Sequence, residues 1–474
     1  MLHTSDHFTT IIDAPCGFGK SHRMLQSLRP DHQYLLVTPR ISETYRFADR
    51  DETTGDELPE HLKLHPEVTV HLTKAVKGTK VQPRSKTTHL KQLLAEGKSV
   101  AVTHALFDRL KDAADAHLLA GVDLVIDENP DPIEIKNSVT RTKLKTQLLG
   151  HGYATLDPKT NQLRPTEKWH SLAEVRFDNR KQEHYLWNEM DNHLYEEALA
   201  GRLVCHEDSL FVVACPPEVL LGGRSLTLLT FMSEGGYMRH YLEKLGETFP
   251  KAKPHVRKYM TPEFIRRATE LVTAEVMPTS LRKLGFDAQE KLDTRGQRRL
   301  GLDIRNFLRK QWADDYAPDR TAFVCARSRW HSGTKKVERV VVEPDGTKRR
   351  KKVTVDQPSE LAKETRLYRK GTYVSSKTRG INGLSHINRM VYCYDMHPNP
   401  KIADFLGCNN AKFSEEFAIA EAVQVVWRMA QRKFDDPQPV KVAFASKRML
   451  TLFKKWQQSL IEDEEFSDEF LVIE

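Results

Sequence analysis

The stretch Ile11-Ile12-Asp13-Ala14-Pro15-Cys16-Gly17-Phe18-Gly19-Lys20-Ser21 sets the terms for the rest of the chain. An apolar run from Thr9 to Ile12 reads as a buried strand. A glycine-bearing loop follows, and Lys20-Ser21 opens a helical pattern through Met24 and Leu25. Strand, glycine loop and Lys-Ser helix in that order form a phosphate-binding loop in its required context. The loop Pro15 to Ser21, with backbone N–H groups from Cys16 onward at a helix N-terminus, would face a nucleotide's phosphates. Lys20 would reach the β- and γ-phosphates, and the Ser21 hydroxyl would hold Mg²⁺. Gly17 and Gly19 supply the turn; Ala14 stands where the first glycine of such loops usually stands.

About a hundred residues on comes Val122-Asp123-Leu124-Val125-Ile126-Asp127-Glu128-Asn129-Pro130. A hydrophobic strand delivers two adjacent carboxylates to its tip. Asp127 can hold Mg²⁺ through water, and Glu128 can orient and deprotonate an attacking water. Alone, an apolar run ending in acids is weak evidence; paired with the earlier loop it is specific.

Between and around these motifs, strands alternate with helices. Gln33 to Thr38 and Ser99 to Thr103 read as strands, as does Glu67 to Leu72. His89 to Leu94 and Ala105 to Leu119 have helical spacing. Such alternation predicts a doubly wound parallel sheet, with ligands beyond the C-terminal strand ends. Thr38, Arg40, Thr103 and His104 stand at such ends. Residues 137–205 break the pattern and read as a helical insertion, with Leu186, Met190, Leu194 and Ala198 in step. Strands return at Ser209 to Ala214 and Ser225 to Phe231. Domain one is therefore expected over residues 1–250, a helical or linking region over 251–318, a second α/β domain over 319–461 and an acidic tail over 462–474.

Composition limits the partners. The 474 residues carry a net charge of +8, although the tail alone holds seven acids and no Lys or Arg. The most basic segment, 335–356, has two strand-like runs around Glu343-Pro344-Asp345-Gly346-Thr347 and reads as a β-hairpin. Lys348, Arg349 and Arg350 are among its eight cations, which repel one another without a polyanion. The six cysteines are scattered without a CxxC pair, which argues for a reducing compartment and against a cysteine-based zinc site. No apolar run approaches the roughly 18 residues of a membrane span, and the first residues read as neither a signal nor a transit peptide.

Later stretches add Phe323-Val324-Cys325-Ala326-Arg327, Ser375 to Asn382 (SSKTRGIN) and a helix expected from Phe417 to Gln431. Within that helix, Arg428 and Arg432 would share one face.

In this order the pieces resemble superfamily 2 helicases, the broad DEAD/DEAH-like group, in a divergent form most like those of phages, plasmids and other mobile elements. APCGFGKS looks like motif I, LLVTPR like Ia, VTHALF like Ib and VIDENP like II. LTFMS stands where motif III falls, FVCARSR looks like IV, SSKTRGIN like V and QVVWRMAQR like VI. Motif II reads DENP, motif III lacks the SAT spelling, and Trp427 replaces a glycine in motif VI, with the second arginine one place late. The resemblance implies two tandem RecA-like parallel-sheet domains, a helical insertion in the first and the basic hairpin in the second. It also implies ATP and Mg²⁺ between the two domains. Gln424, Arg428 and Arg432 would then face the γ-phosphate, Arg428 being the better arginine finger, and Asn382 would lie near the ribose. Thr378, Arg379 and Gly380, with Thr38, Arg40, Thr103, His104 and Arg327, would meet the nucleic-acid backbone.

The function expected on these grounds is an ATP-dependent helicase or translocase, DNA favoured and one strand tracked, acting in replication or mobile-element maintenance. The alternative is an ATP-dependent nucleic-acid-binding initiator or recruiter that does not unwind. A monomer or weak oligomer is expected, cytoplasmic in a bacterial cell or phage-infected host, away from membranes. The acidic tail would be available to a replication partner.

Overall fold

A computed structural model describes residues 8–49, 64, 86–136, 139–158, 161–178, 192–207, 209–313, 317–342, 348–375, 383–433 and 435–462. Two parallel sheets organise them. In chain order the first part of the chain supplies β1 (Phe8–Asp13), β2 (Gln33–Thr38), β3 (Val100–Thr103) and β4 (Val122–Asp127). It continues with the short β5 (Ile133–Ile135), β6 (Ala154–Leu156), β7 (Leu163–Pro165), β8 (Leu203–His206) and β9 (Ser209–Val213). Then come β10 (Ser225–Thr230) and β11 (His255–Lys258). The first sheet has the order β11-β1-β10-β4-β2-β3, every pair parallel. β4 and β10 are buried along their whole length. Strands covered on both faces read as unbroken apolar runs, which is why these were visible in the sequence.

The second sheet is built from β12 (Val272–Val276), β13 (Thr321–Val324) and, after the two hairpin strands β14 (His331–Val342) and β15 (Lys348–Pro358), from β16 (Thr372–Val374), β17 (Arg389–Tyr392) and β18 (Val440–Phe444). Its order is β12-β18-β17-β13-β16, again all parallel. The doubly wound expectation therefore holds for both halves.

Residues 251–318 differ from the expected helical connection. They hold helices at Pro262–Glu270 and Thr294–Gln311, but they also give β11 to the first sheet and β12 to the second. In the inserted region a π-type segment, Lys143–Gly150, stands where a helix was expected over 143–149, and of the helix expected over 181–199 the described part is Asn192–Leu199, with Leu194 and Ala198 buried. It adds an antiparallel sheet β5-β9-β8 and the pair β6-β7, so Ser209 to Val213 belongs to this layer and not to the main sheet. Leu186 and Met190 lie outside the described residues, as does the strand expected at 67–72. The stretch expected as one helix from Ala105 is a 3₁₀ segment, His104–Leu110, followed by a short helix, Lys111–Asp115.

β14 and β15 pair antiparallel as a sheet of their own, from Gly333↔Gln357 to Val342↔Lys348. The hairpin is thus longer than the strand runs suggested, and its turn, 343–347, lies outside the described residues. Apolar packing is continuous across the two halves: one core cluster joins Leu124 and Ile126 on β4 to Val324, Tyr392 and Phe417 of the later half.

Candidate active site between the two sheets

The phosphate loop leaves β1 at the C-terminal edge of the first sheet. Ala14 is fully buried, and its N–H donates to the Thr230 carbonyl at 3.0 Å, which ties the loop's root to β10. Gly17 and Gly19 take positive φ, 86° and 82°. Ser21 donates from Oγ to Asp127 Oδ2 at 2.9 Å, so the loop and the tip of β4 meet across the end of β10. Lys20 Nζ donates to the carbonyls of Ala14 at 2.5 Å and Pro15 at 3.2 Å. Phe18 stacks on Tyr259 at 6.5 Å, just past β11, with the Arg23 guanidinium 5.1 Å above its ring.

Glu128 follows Asp127 with φ 63°, a left-handed conformation that costs a side chain of this size about a kcal/mol or more. Its N–H bonds to the Leu229 carbonyl at 2.9 Å. The bend takes the Glu128 carboxylate off the line of β4 and to Arg428, whose Nη2 lies 3.0 Å from Oε1. Arg428 is 2% exposed and also approaches Cys16 Sγ at 4.0 Å. Burial works against its charge, but Cys16 and Glu128 outweigh that and hold the guanidinium above its ordinary pKa.

The second half of the chain brings three further contacts. Trp427 donates from its indole N–H to the Cys16 carbonyl at 2.9 Å. Arg432 lies across the loop so closely that a Cβ on Gly17 would sit 2.7 Å from its Nε. Gln424 donates to the Phe231 carbonyl at 3.0 Å. Phe264 packs between these layers, its ring 4.2 Å from Trp427 and 5.7 Å from Phe231.

The loop after β10 is the hinge plate of this arrangement. Asp13 accepts from the N–H groups of Met232 and Ser233, each at 2.7 Å, and so joins the root of the phosphate loop to it. Burial, and Glu234 after it, pushes the Asp13 carboxyl above its ordinary pKa. On the other side the helix Ala411–Val426 comes so close that a Cβ on Gly235 would lie 2.4 Å from the Glu416 carbonyl. Glycine is required here by close approach of two backbones. In sequence this loop could as well have been an ordinary connection; Asp13 and Gly235 carried no signal of their own.

Several expected positions are relocated. The helix ends at Val426, not Gln431. Met429 is extended, and the Ala430 N–H bonds to the Ile387 carbonyl at 2.8 Å instead of continuing the helix. Arg428 and Arg432 therefore do not share a helix face, although both reach the phosphate loop. Gln424 reaches the loop after β10 rather than the phosphate loop. Thr38 is fully buried and its hydroxyl donates to the Arg40 carbonyl at 3.1 Å, so it faces inward where a backbone contact was expected. Thr103 is also buried, and His104 Nε2 lies 3.0 Å from the Asp127 carbonyl, bracing the tip of β4. Arg40, Arg327 and Arg350 are exposed. Lys348 and Arg349 occupy hairpin positions opposite Val342 and Val341. Thr378, Arg379, Gly380 and Asn382 lie outside the described residues.

For a metal, the donors that fit are Ser21 Oγ and Asp127. They are adjacent oxygen groups at the end of β4, of the hard type Mg²⁺ takes. A second group of possible donors, His206, Glu207 and Asp404, bridges β8 and the helix Pro400–Phe405, with one ligand atom from each within 4.8 Å of the others. It is largely exposed, and nothing else there points to an ion. Among the described residues no helix is long and apolar enough to cross a membrane.

Residues 272–457 match the family model described as the YonV C-terminal Rossmann-like domain. The match begins at the first residue of β12, where the second sheet begins. The all-parallel order of the second sheet agrees with a Rossmann-like domain over these residues. No curated protein matches the sequence. Among solved structures, it is similar to an XPD helicase, at 16% identity over 96% of this chain and 95% of that one, with a TM-score of 0.45. It is also similar to a DEAD box protein from the hyperthermophile Methanococcus jannaschii, at 10% identity over 96% of this chain and 86% of that one, with a TM-score of 0.27.

Proposed function

We propose that the chain is an ATP-driven nucleic-acid helicase or translocase, with DNA as its favoured track. The observation that carries this reading is the meeting of Arg428, from the half of the chain that builds the second sheet, with Glu128 and the phosphate loop of the first. A composite site of this kind makes hydrolysis depend on how the two halves sit together, which is what a motor needs.

Bound Mg²⁺ would neutralise charge on the nucleotide's phosphates, with Ser21 and Asp127 as its protein donors. Lys20 would exchange the Ala14 and Pro15 carbonyls for phosphate oxygens. Glu128 would release Arg428 and take a proton from the attacking water. The freed Arg428 guanidinium, with Arg432 lying against Gly17, would stabilise charge that develops on the transferred group. Gln424 would report the change through the Phe231 carbonyl to the loop that Asp13 holds. The body of the chain is basic, and the exposed Arg40, Arg327, Lys335, Lys336, Arg350 and Lys352 would supply phosphate contacts. The hairpin would separate strands, and the acidic tail would engage a replication protein.

Strand displacement tests the reading. With ATP and Mg²⁺, the chain should release a labelled strand from a partial DNA duplex, and Lys20→Ala should not. ATP hydrolysis stimulated by nucleic acid with no displacement on any substrate would replace the motor with a recruiter.

A further inference from the structure

Past the C-terminal ends of β13 and β17 sits a short turn of chain that the proposed motor does not use. It runs from Leu284 through Gly285 to the helix Phe286–Glu290. Phe286 is 61% exposed, among the largest apolar exposures on the described surface. A single exposed apolar residue is ordinary. The way this one is held is not.

Gln289, three residues on, is fully buried and spends both ends of its amide on the scaffold. Nε2 donates to the carbonyls of Leu284 at 3.0 Å and Cys393 at 2.8 Å. Oε1 accepts from the Ala326 N–H at 3.1 Å. Cys393 directly follows β17 and Ala326 lies two residues beyond β13, so one side chain locks the turn to two strand ends. The Asp395 N–H adds a bond to the Leu284 carbonyl at 3.1 Å. From the other side, Ser328 donates to Glu290 Oε1 at 2.6 Å and Arg329 donates to the carbonyls of Glu290 and Leu292 at 2.8 and 2.9 Å. The aromatic ring is thus presented from a rigid mount.

The surround carries exposed cations together with the acids Asp287, Glu290 and Asp293. Arg282 and Lys283 before the turn and Lys291 after it are exposed, and Arg327 projects from the adjoining strand end with 70% of its side chain accessible. The same end of the sheet bears the root of the basic hairpin, where His331 pairs with Pro358. A rigid exposed ring among cations matches the two needs of unpaired nucleic acid: a π-face for a base and positive charge for its phosphates.

We propose that Phe286 is a base-stacking platform for single-stranded nucleic acid, flanked by Arg282, Lys283, Lys291 and Arg327 as phosphate contacts. The assignment rests on the nucleic-acid reading above and deepens it: this part of the surface reads bases as well as backbone. A duplex, whose bases are already stacked, would not use it.

The test is equilibrium binding of the full chain to an oligothymidylate and to an abasic oligodeoxynucleotide of equal length, across a salt series. Phe286→Ala should weaken oligothymidylate binding about tenfold, the worth of one base–aromatic stack, and leave abasic binding unchanged. Phe286→Trp should keep the affinity and show indole fluorescence quenched on binding. Replacing Arg282 and Lys283 together by Gln should flatten the salt dependence for both oligomers, while Phe286→Ala should not. Equal binding of oligothymidylate by wild type and Phe286→Ala overturns the platform and leaves the motor reading intact. Failure of the wild-type chain to bind any oligonucleotide overturns both.

Discussion

Arg428 holds Glu128 at 3.0 Å from the opposite half of the chain. The group expected to activate water and the group expected to steady the transition state are therefore each other's partner. In the proposed mechanism both would have to let go for turnover, which would make the pair a latch as well as a pair of reagents.

Arg428→Lys tests the latch. A lysine is a point charge and cannot span Glu128 and Cys16 as the planar guanidinium does. The rate constant for ATP hydrolysis should fall by about 10³–10⁵, the range for loss of an arginine finger, with nucleotide affinity little changed. Steady-state hydrolysis alongside fluorescent-nucleotide binding separates the two. Wild-type turnover would make Arg428 purely structural.

Gly17→Ala should weaken nucleotide binding by about tenfold or more for two reasons that can be separated. The φ of 86° costs a Cβ about 1–2 kcal/mol, and the methyl would meet Arg432 Nε at 2.7 Å. Gly97→Ala has a similar φ of 71° with nothing within 4 Å, so it reports the backbone cost alone. Adding Arg432→Ala to Gly17→Ala should recover part of the binding. No recovery would place the whole defect in the backbone.

Acid sensitivity should be partly assigned to Glu243. A hydrogen bond from His240, and after it Arg239, holds this carboxyl down to about 2 against an ordinary 4.5. A depressed pKa means its contribution is present above about 4.5 and is lost as the pH falls from there through about 2. The group is well exposed to solvent, so the contribution is below about 1 kcal/mol. Urea unfolding of wild type and Glu243→Gln should differ near neutrality and converge toward pH 2. A difference that grows on acidification would reverse the assignment.

Deleting the hairpin, 335–356, should spare hydrolysis stimulated by nucleic acid and impair strand displacement. Its strands form a sheet apart from the second parallel sheet, so the core should tolerate the cut. Undiminished displacement by the deletion variant would exclude a separating pin.

What could be read from the sequence follows from what is local. β1 with its glycine loop, and β4 with its two carboxylates, are complete within about ten residues, and both stand as expected. β11 and β12 were missed because they are edge strands. The burial of His255 to Lys258 is partial or absent, so no apolar alternation marks it. The end of the helix at Val426 was also invisible. Val425 to Ala430 has no glycine or proline, and the helix is stopped by a distant bond, Ala430 N–H to the Ile387 carbonyl. Trp427 looked like a departure from the motif; its value lies in Cys16, some four hundred residues away. The inward turn of Thr38 depends on Arg40 folding back beside it, which no periodicity records.

In the proposed function the phosphate loop, Glu128 and Arg428 form a single site for nucleic-acid-dependent ATP hydrolysis. Steady-state hydrolysis should be measured with no polymer, with single-stranded DNA, with duplex DNA and with RNA, beside Lys20→Ala. Single-stranded DNA should stimulate hydrolysis strongly in the wild type and not at all in the variant. Hydrolysis that is negligible under every condition, or equal in the wild type and Lys20→Ala, would contradict it.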